Sequence, residues 1–291
     1  MRRDSFYRLF NREAKNPNPK LPSNRVAAYF DIFRNRFFSL VCLSMLTSIF
    51  ALPLLLFVFL YMPYSQSAIS ACEEAGGDLP SLILMLGLIL SAGVLVLSLP
   101  MFYGLAGLFF VMKGLIYQEG SLFYRDFFLG MKSNAKEAAL SWAISAITAS
   151  LFIADLSIYP SMDNVPSALK IVVAVLMALI VLCAQFMAIH LLCYGSIYDF
   201  KLSDSLRNCG LFAVVLYPLN LAFLIIGGIF FILLFIPFFL VQMICLSICV
   251  LFGFAHFALV NSLYCYSRYD KYINSRYEED LVGKGLDKEE K

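Results

Sequence analysis

Charged residues are scarce in this chain, and their scarcity excludes an ordinary soluble fold. Only 14% of the 291 residues are Asp, Glu, Lys or Arg, and 61% are hydrophobic. A typical soluble domain is about a quarter charged. Between Arg207 and Arg268 the chain has no charged residue, which leaves room for two membrane spans of about 20 residues each. The composition therefore predicts a membrane protein.

The long apolar runs also lack the alternation of apolar and polar residues that is typical of strands. Because lipid offers no partner to an exposed backbone N–H or C=O, membrane-spanning segments form helices or closed barrels. Continuous apolar runs favour helices. We therefore predict an all-α integral membrane protein, with six transmembrane helices in a bundle and one cytoplasmic amphipathic connecting helix.

Recognisable catalytic and metal-binding patterns are absent. The sequence has no GxSxG, HExxH or P-loop motif, and its two histidines, His190 and His256, lie in distant apolar segments. The eight cysteines lack the paired spacing of a zinc site. We expect a protein that is not an enzyme and that has no cofactor, no metal and no nucleic-acid partner.

The apolar runs divide the chain into a basic leader (1–36), a transmembrane domain (37–266) and a tail (267–291) expected to be disordered beyond Glu278. In the leader, Phe6, Leu9 and Phe10 predict a short interfacial helix, and a proline-rich linker follows them. The six predicted spans are 37–62, 79–112, 138–159, 168–194, 209–231 and 238–264.

Two of these spans contain proline. Pro53 predicts a kink in the first, because proline removes a helical hydrogen bond. The second span would be about 50 Å long as one straight helix, against a hydrocarbon core of about 30 Å. We expect it to break near Pro100, Gly104 and Gly107.

The distribution of Lys and Arg predicts the orientation. Twenty-one of the 22 lie in the leader, in the connection between spans two and three, in the loop after span four or in the tail. Lys170 alone lies on the other side. Both termini and the long connection are therefore predicted to face the cytoplasm, across the plasma membrane.

The connection between spans two and three, residues 117–139, predicts an amphipathic helix capped by Ser121. Its apolar residues recur at three or four positions, and we expect them to meet the acyl chains; they are Phe123, Phe127, Met131, Ala135 and Ala138. Arg125, Lys132 and Lys136 lie on another face. They are either topology-setting charges on a structural elbow or a contact surface for anionic headgroups or a partner protein.

Polar side chains inside spans are the other candidates for a site. We predict an intramembrane polar site at Gln185, Asn220 and His256. The other polar side chains inside the predicted spans are His190, Gln242 and Asn261. No carboxylate or basic residue accompanies them at helical spacing. Hydrogen bonding between helices is the alternative explanation.

One internal similarity accompanies these features. Ile116 and Tyr117 precede a polar segment that ends at Asn134, and Ile197 and Tyr198 precede one that ends at Asn208. Each polar segment leads into the next span. The similarity predicts a parallel repeat of hairpins.

Several blocks of the sequence together resemble the YesL-like family of bacterial multi-pass membrane proteins. They are AAYFDIFRNRFFSL, LPMFYGLAGLFFVMKGL, EGSLFYRDFFLGMKSNAKEA and SLRNCGLFAVVLYPLNLAFLI. The resemblance covers most of the chain from Tyr29 to about Ile225, and it departs from the family where Ala135 replaces the usual tryptophan. It implies a bacterial plasma membrane location, no known catalysis and an association with sugar uptake.

These observations lead to two functional hypotheses. The first is a non-catalytic accessory or scaffold component associated with carbohydrate uptake, whose partners would be the lipid bilayer and a carbohydrate ABC importer or other membrane protein. The second is a small solute transporter or channel, for which the broken second span and the polar residues Gln185, Asn220 and His256 are the motivation.

Overall fold

The computed structural model describes residues 21–119, 122–162, 164–236 and 238–287. Every regular element in these ranges is helical, which confirms the all-α prediction. The α-helices are α1 (Arg25–Glu74), α2 (Leu79–Leu97), α3 (Leu99–Ile116), α4 (Phe123–Ser133), α5 (Ala135–Ile158), α6 (Ser167–Ile197), α7 (Leu202–Val215), α8 (Tyr217–Gly227), α9 (Ile229–Ile232), α10 (Phe239–Ile248), α11 (Phe254–Tyr269) and α12 (Ser275–Tyr277).

Five helical stretches in the described ranges are long and apolar enough to cross a membrane. They are Arg25–Glu74, Leu79–Ile116, Ala135–Ser161, Ser167–Ile197 and Leu240–Tyr277. A sixth exists only if α7 and α8, which are bent by 90° at Leu216, together form one span. The single helix predicted over 209–231 is therefore wrong, because Pro218 cannot donate a backbone hydrogen bond across the bend.

The first helix starts well inside the predicted leader. Asn24 caps α1, because its Oδ1 accepts a hydrogen bond from the Ala27 amide at 2.8 Å. Helix α1 therefore begins before the leader boundary predicted at residue 36, and that boundary stays a prediction. The interfacial helix predicted at Phe6, Leu9 and Phe10 lies outside the described residues. The non-helical backbone position inside α1 is Arg36, whereas the predicted kink at Pro53 has helical backbone angles.

The second predicted span does break, at Ser98 between α2 and α3. Pro100 has no N–H to offer the preceding turn, and the Ser98 amide instead bonds the carbonyls of Val94 and Val96. Gly104 and Gly107 lie within α3, where they allow neighbouring elements to approach. The break predicted for this span is confirmed, two residues before its proline.

The connections after the second and fourth predicted spans both contain helix, which was predicted only for the first. The amphipathic stretch is broken at Asn134 into α4 and the start of α5, so its apolar residues do not share one continuous helix. In the loop predicted after span four, residues 198–201 are non-helical and α7 begins at Leu202.

The disorder predicted beyond Glu278 is wrong as far as Asp287, because a 3₁₀ turn, Glu279–Leu281, and a tight turn follow.

The chain forms two compact units. The first contains the described residues of Met1–Thr47, Gly107–Lys132 and Ala222–Lys291, and the second contains Ser48–Ala106 and Ser133–Leu221. In the first, large side chains such as Phe109, Phe127 and Tyr266 are fully buried. In the second, α5 packs between α2 and α6.

Small polar residues allow the close packing of the second unit. The Ser91 and Ser150 hydroxyls each donate to the other residue's backbone carbonyl, at 2.8 and 2.9 Å. A Cβ on Gly87 would lie only 1.7 Å from the Ser157 Oγ. Small residues that permit close backbone approach are typical of helix association in lipid.

Helical hairpins occur at both places where the internal similarity predicts a repeat, and the parallel arrangement of the two stays a prediction. After α3, the short helix α4 returns along it, with Gly130 against Phe110 and Met131 against Gly107. After α6, α7 returns in the same way, with Phe212 stacked on His190 and the Asn208 amide bonded to the Tyr194 hydroxyl. In each case a break in the backbone follows, at Asn134 or Leu216, before the next helix.

Candidate functional site

The aromatic face of α4 packs against protein and not against lipid. Phe127 is completely buried, and Phe123 is 8% exposed. Two glycines permit this contact, because a Cβ on Gly107 would lie 2.6 Å from the Phe127 carbonyl oxygen and one on Gly130 would lie 2.4 Å from the Phe110 Cβ. The orientation predicted for α4, with Phe123 and Phe127 at the acyl boundary, is therefore wrong.

The opposite side of α4 forms a surface that we call the α4 outer face, made of Arg125, Phe128, Leu129 and Lys132. The spacing i, i+3, i+4, i+7 places them in one stripe along the helix. Phe128 and Leu129 are each about half exposed, between two exposed basic residues. Within the described part of the chain, neither Arg125 nor Lys132 has an ion-pair partner. The face is thus apolar in the middle and cationic at both ends.

The α4 outer face lies beside apolar stretches of the chain. The residues that α4 packs against, Gly107 and Phe110, precede Lys113, which is the first charged residue after Asp78. Tyr124 lies beside Cys42 in the charge-free part of α1, and burial together with this thiol raises the pKa of Tyr124. Such neighbours are typical of the boundary between headgroups and acyl chains.

The other residues predicted for this surface are placed differently. Lys136 is exposed but lies in the first turn of α5, beyond the break at Asn134. Ser121, the predicted helix cap, lies outside the described residues. Asp126 acts at the start of α4, because its Oδ2 accepts a hydrogen bond from the Leu122 amide at 2.8 Å.

Gln185 connects two helices of the second unit. Its Oε1 accepts a hydrogen bond from the Ser145 hydroxyl at 2.7 Å, which joins α6 to α5. His190 follows five residues later on α6, about 140° around the helix from Gln185. Gln185 and His190 therefore point to different sides of α6.

Asn220 stabilises the bend between α7 and α8. Its side-chain amide donates to the carbonyls of Phe212 and Ala213, at 2.9 and 3.2 Å, and its Oδ1 lies 3.1 Å from the His190 Nε2. Both carbonyls lie in the last turn of α7, where backbone carbonyls run short of amide donors, although the Phe212 carbonyl also accepts a hydrogen bond from the Leu216 amide at 3.2 Å. Asn220 thus adds side-chain hydrogen bonds to the end of α7 at the bend.

His256 belongs to an aromatic cluster of the first unit. Its Nδ1 lies 2.9 Å from the Tyr29 hydroxyl, and its Nε2 lies 3.1 Å from the Ile226 carbonyl oxygen. The rings of Phe230 and Phe252 lie 5.2 and 5.7 Å away. Both ring nitrogens are therefore engaged within the chain, and the described residues contain no group of three side chains that could hold a metal ion.

A polar cluster that the sequence did not predict lies around Arg25. The Arg25 guanidinium donates to the Asp270 carboxylate at 2.7 Å and to the Lys284 carbonyl at 3.0 Å. The Lys284 ammonium in turn donates to the Glu119 carboxylate at 2.7 Å and lies 5.1 Å from the centre of the Tyr117 ring. Burial raises the pKa of Tyr117, and the nearby Asp270 carboxylate adds to the effect.

A local signal for this cluster exists in the sequence. Lys284 lies between Gly283 and Gly285, and both glycines have positive φ, at 65° and 80°. A Cβ on Gly285 would lie 2.1 Å from the Ile116 carbonyl oxygen. A Gly-Lys-Gly triplet in a mixed-charge tail thus predicts a tight turn, although its partners are more than 150 residues away in sequence.

The chain matches no known family model, no curated protein and no solved structure. The YesL-like resemblance therefore stays a prediction from the quoted sequence blocks.

Proposed function

We propose that this protein is a non-catalytic accessory or scaffold component of the membrane, which binds another membrane protein through the α4 outer face. One observation carries the proposal: Phe128 and Leu129 are exposed side by side between Arg125 and Lys132, on a helix whose other side is buried. Because the inner side of α4 is already buried, the exposed apolar and basic side chains of its outer face are available to bind a second protein.

The chemistry of the α4 outer face indicates what it would bind. The Phe128 and Leu129 side chains suit an apolar helix face, and Arg125 and Lys132 suit carboxylates about two helical turns apart. Because α4 packs beside charge-free stretches of α1 and α3, the partner must itself reach the membrane surface. A membrane protein with an acidic segment next to an apolar one meets these requirements.

The sugar-uptake part of the proposal has a different support. It depends on the resemblance to the YesL-like family, which implies an association with carbohydrate import. A carbohydrate ABC importer is accordingly the partner that we propose first. The basic and aromatic composition of the α4 outer face is compatible with a helix of such a permease, and it does not require sugar binding by this chain.

The positions of the two chain ends support six membrane crossings over five. The Asp287 amide donates to the Pro22 carbonyl at 3.0 Å, and Arg25 pairs with Asp270. Ends that meet on one side of a membrane require an even number of crossings, so α7 and α8 would together supply the sixth. With the Lys and Arg distribution, we infer a bacterial plasma membrane protein with both ends in the cytoplasm.

The alternative function, a small solute transporter or channel, needs polar side chains around a shared path. Gln185, Asn220 and His256 instead bond to Ser145, to His190 and to Tyr29. These hydrogen bonds give the three residues a structural role, in which they connect helices to one another. The exposed α4 outer face is therefore the better supported location for function.

Site-specific photo-crosslinking in intact membranes tests the proposal. Phe128 is replaced by benzoylphenylalanine, and Phe59, a similarly exposed aromatic residue of α1, is replaced in a control. We expect the probe at 128 to form a discrete protein adduct that the probe at 59 does not form. The double substitution Arg125→Gln and Lys132→Gln should reduce the yield severalfold, and Lys201→Gln, at another exposed lysine, should not.

The same experiment can overturn the proposal. If the probe at 128 yields lipid adducts alone, the α4 outer face contacts bilayer and not protein. If the adduct persists at full yield in the Arg125 and Lys132 variant, the basic residues do not contribute to docking. Mass spectrometry of the adduct would show separately whether the partner is an import permease.

A further inference from the structure

The C-terminal segment folds back on the first unit and makes contacts that are separate from the α4 outer face. We call residues 279–287 the C-terminal strap. Within it, a 3₁₀ turn and two glycines with positive φ produce a compact loop, in which the Lys284 amide bonds the Leu281 carbonyl at 3.1 Å. The loop presents the Lys284 side chain toward Glu119.

Three polar contacts attach the C-terminal strap, and Gly285 also packs against the backbone of Ile116 and Tyr117. Lys284 pairs with Glu119 at 2.7 Å, the Lys284 carbonyl accepts from Arg25, and the Asp287 amide donates to the Pro22 carbonyl. Residues 281–287 are only half-buried, and none of them belongs to the buried core. Exposed ion pairs and single hydrogen bonds are individually weak, so the strap can detach at a small cost in free energy.

The residues under the C-terminal strap are polar and incompletely satisfied. Arg25 and Asp270 form an ion pair with side chains only 11% and 16% exposed. The Tyr117 hydroxyl and the Arg25 Nε are buried and have no hydrogen-bond partner among the described residues. A buried donor without an acceptor is costly, and water would satisfy both donors if the strap opened. Closure therefore gains weak contacts and loses hydration, which brings the closed and open states close in free energy.

We propose that the C-terminal strap is a reversible latch over Arg25 and Tyr117, and that the Lys284–Glu119 ion pair holds it closed. The closed latch joins the start of α1 to the end of α3. The open latch exposes Tyr117 and the Arg25–Asp270 pair to solvent. The state of the latch depends on ionic strength, because salt screens an exposed ion pair.

Hydrogen–deuterium exchange of the full-length protein in nanodiscs tests this latch. The amides of residues 279–287 report closure, and those of α11 report the integrity of the unit. We expect Glu119→Gln and Lys284→Gln each to speed exchange in the strap by about two- to fivefold, the range expected for an exposed ion pair. The exchange of α11 should not change. Lys271→Gln, at an exposed lysine over the Tyr272 ring, is the matched control and should leave the strap protected.

Two further measurements distinguish a latch from a static contact. The charge exchange Glu119→Lys with Lys284→Glu should restore protection. In about 1 M salt, where the Debye length falls to about 3 Å, the unaltered protein should exchange like the Gln variants, and hydroxyl-radical oxidation of Tyr117 should rise in parallel. Unchanged exchange in both Gln variants, no recovery on charge exchange, or equal acceleration across α11 would each overturn the proposal.

Discussion

At the scale of single residues, the polar side chains inside the helices complete the backbone. Asn220 provides the clearest case, because its amide group bonds two carbonyls at the end of α7 and its oxygen meets His190. Both side chains are almost fully buried. A polar residue in this position is therefore needed by the bend between α7 and α8, whether or not a ligand is ever present.

Replacing Asn220 by Ala should destabilise the protein by about 1–3 kcal/mol, because His190 and the Phe212 and Ala213 carbonyls each lose a hydrogen bond in a buried site. Thermal unfolding in detergent, followed by the fluorescence of the single tryptophan, Trp142, measures the change. Asn164→Ala, at an exposed turn residue, is the control and should have little effect. A stability equal to that of the unaltered protein would show that the bend does not depend on Asn220.

At the scale of elements, the glycines of the α3–α4 hairpin determine which side of α4 is buried. Gly107 and Gly130 remove side chains where the two helices meet, so Phe127 can pack directly on α3. The sequence of residues 117–139 predicts an amphipathic helix, but the pattern alone does not say whether its apolar face meets protein or lipid. Contact with Gly107, far away in sequence from Phe127, decides the question.

The substitution Gly107→Ala should force α3 and α4 apart, because the new methyl group would lie 2.6 Å from the Phe127 carbonyl oxygen. Overpacking of this kind costs about 1–3 kcal/mol. Gly210→Ala is a matched control in helix α7, where the nearest atoms lie 4.0 Å from the added Cβ. It should be neutral or stabilising, since Ala favours helix over Gly by up to about 1 kcal/mol. Equal unfolding temperatures for the two variants would contradict the close α3–α4 contact.

At the scale of the whole molecule, the bend at Leu216 leaves the number of membrane crossings at five or six. The contact between residues 22 and 287 favours six, because it brings the chain ends together. The native cysteines are poor reporters of this topology. Cys265, near the end of the last span, is completely buried and would resist labelling on either side of a membrane.

Introduced cysteines at exposed serines can determine the topology. A membrane-impermeant maleimide applied to intact cells should label Ser70→Cys, which lies in the exposed end of α1. It should label Ser275→Cys, in the exposed segment after α11, only after the membrane is permeabilised. Labelling of both variants on intact cells would place the ends on opposite sides and support five crossings.

Composition and charge pattern predict a helical membrane protein, and three of the six predicted spans, 79–112, 138–159 and 168–194, agree with helical stretches of the structure to within a few residues. Apolar length and charge distribution are local properties, and the bilayer acts on them directly. Only the folded chain shows which side of α4 is buried, where the chain bends at Leu216 and that the C-terminal strap is ordered. The buried side of α4 and the order of the strap depend on partners further along the chain, as Lys284 depends on Glu119, and the sequence pattern around one residue does not specify such a partner. The bend follows Pro218 and is stabilised by Asn220, whose contact with His190 the local pattern does not specify either.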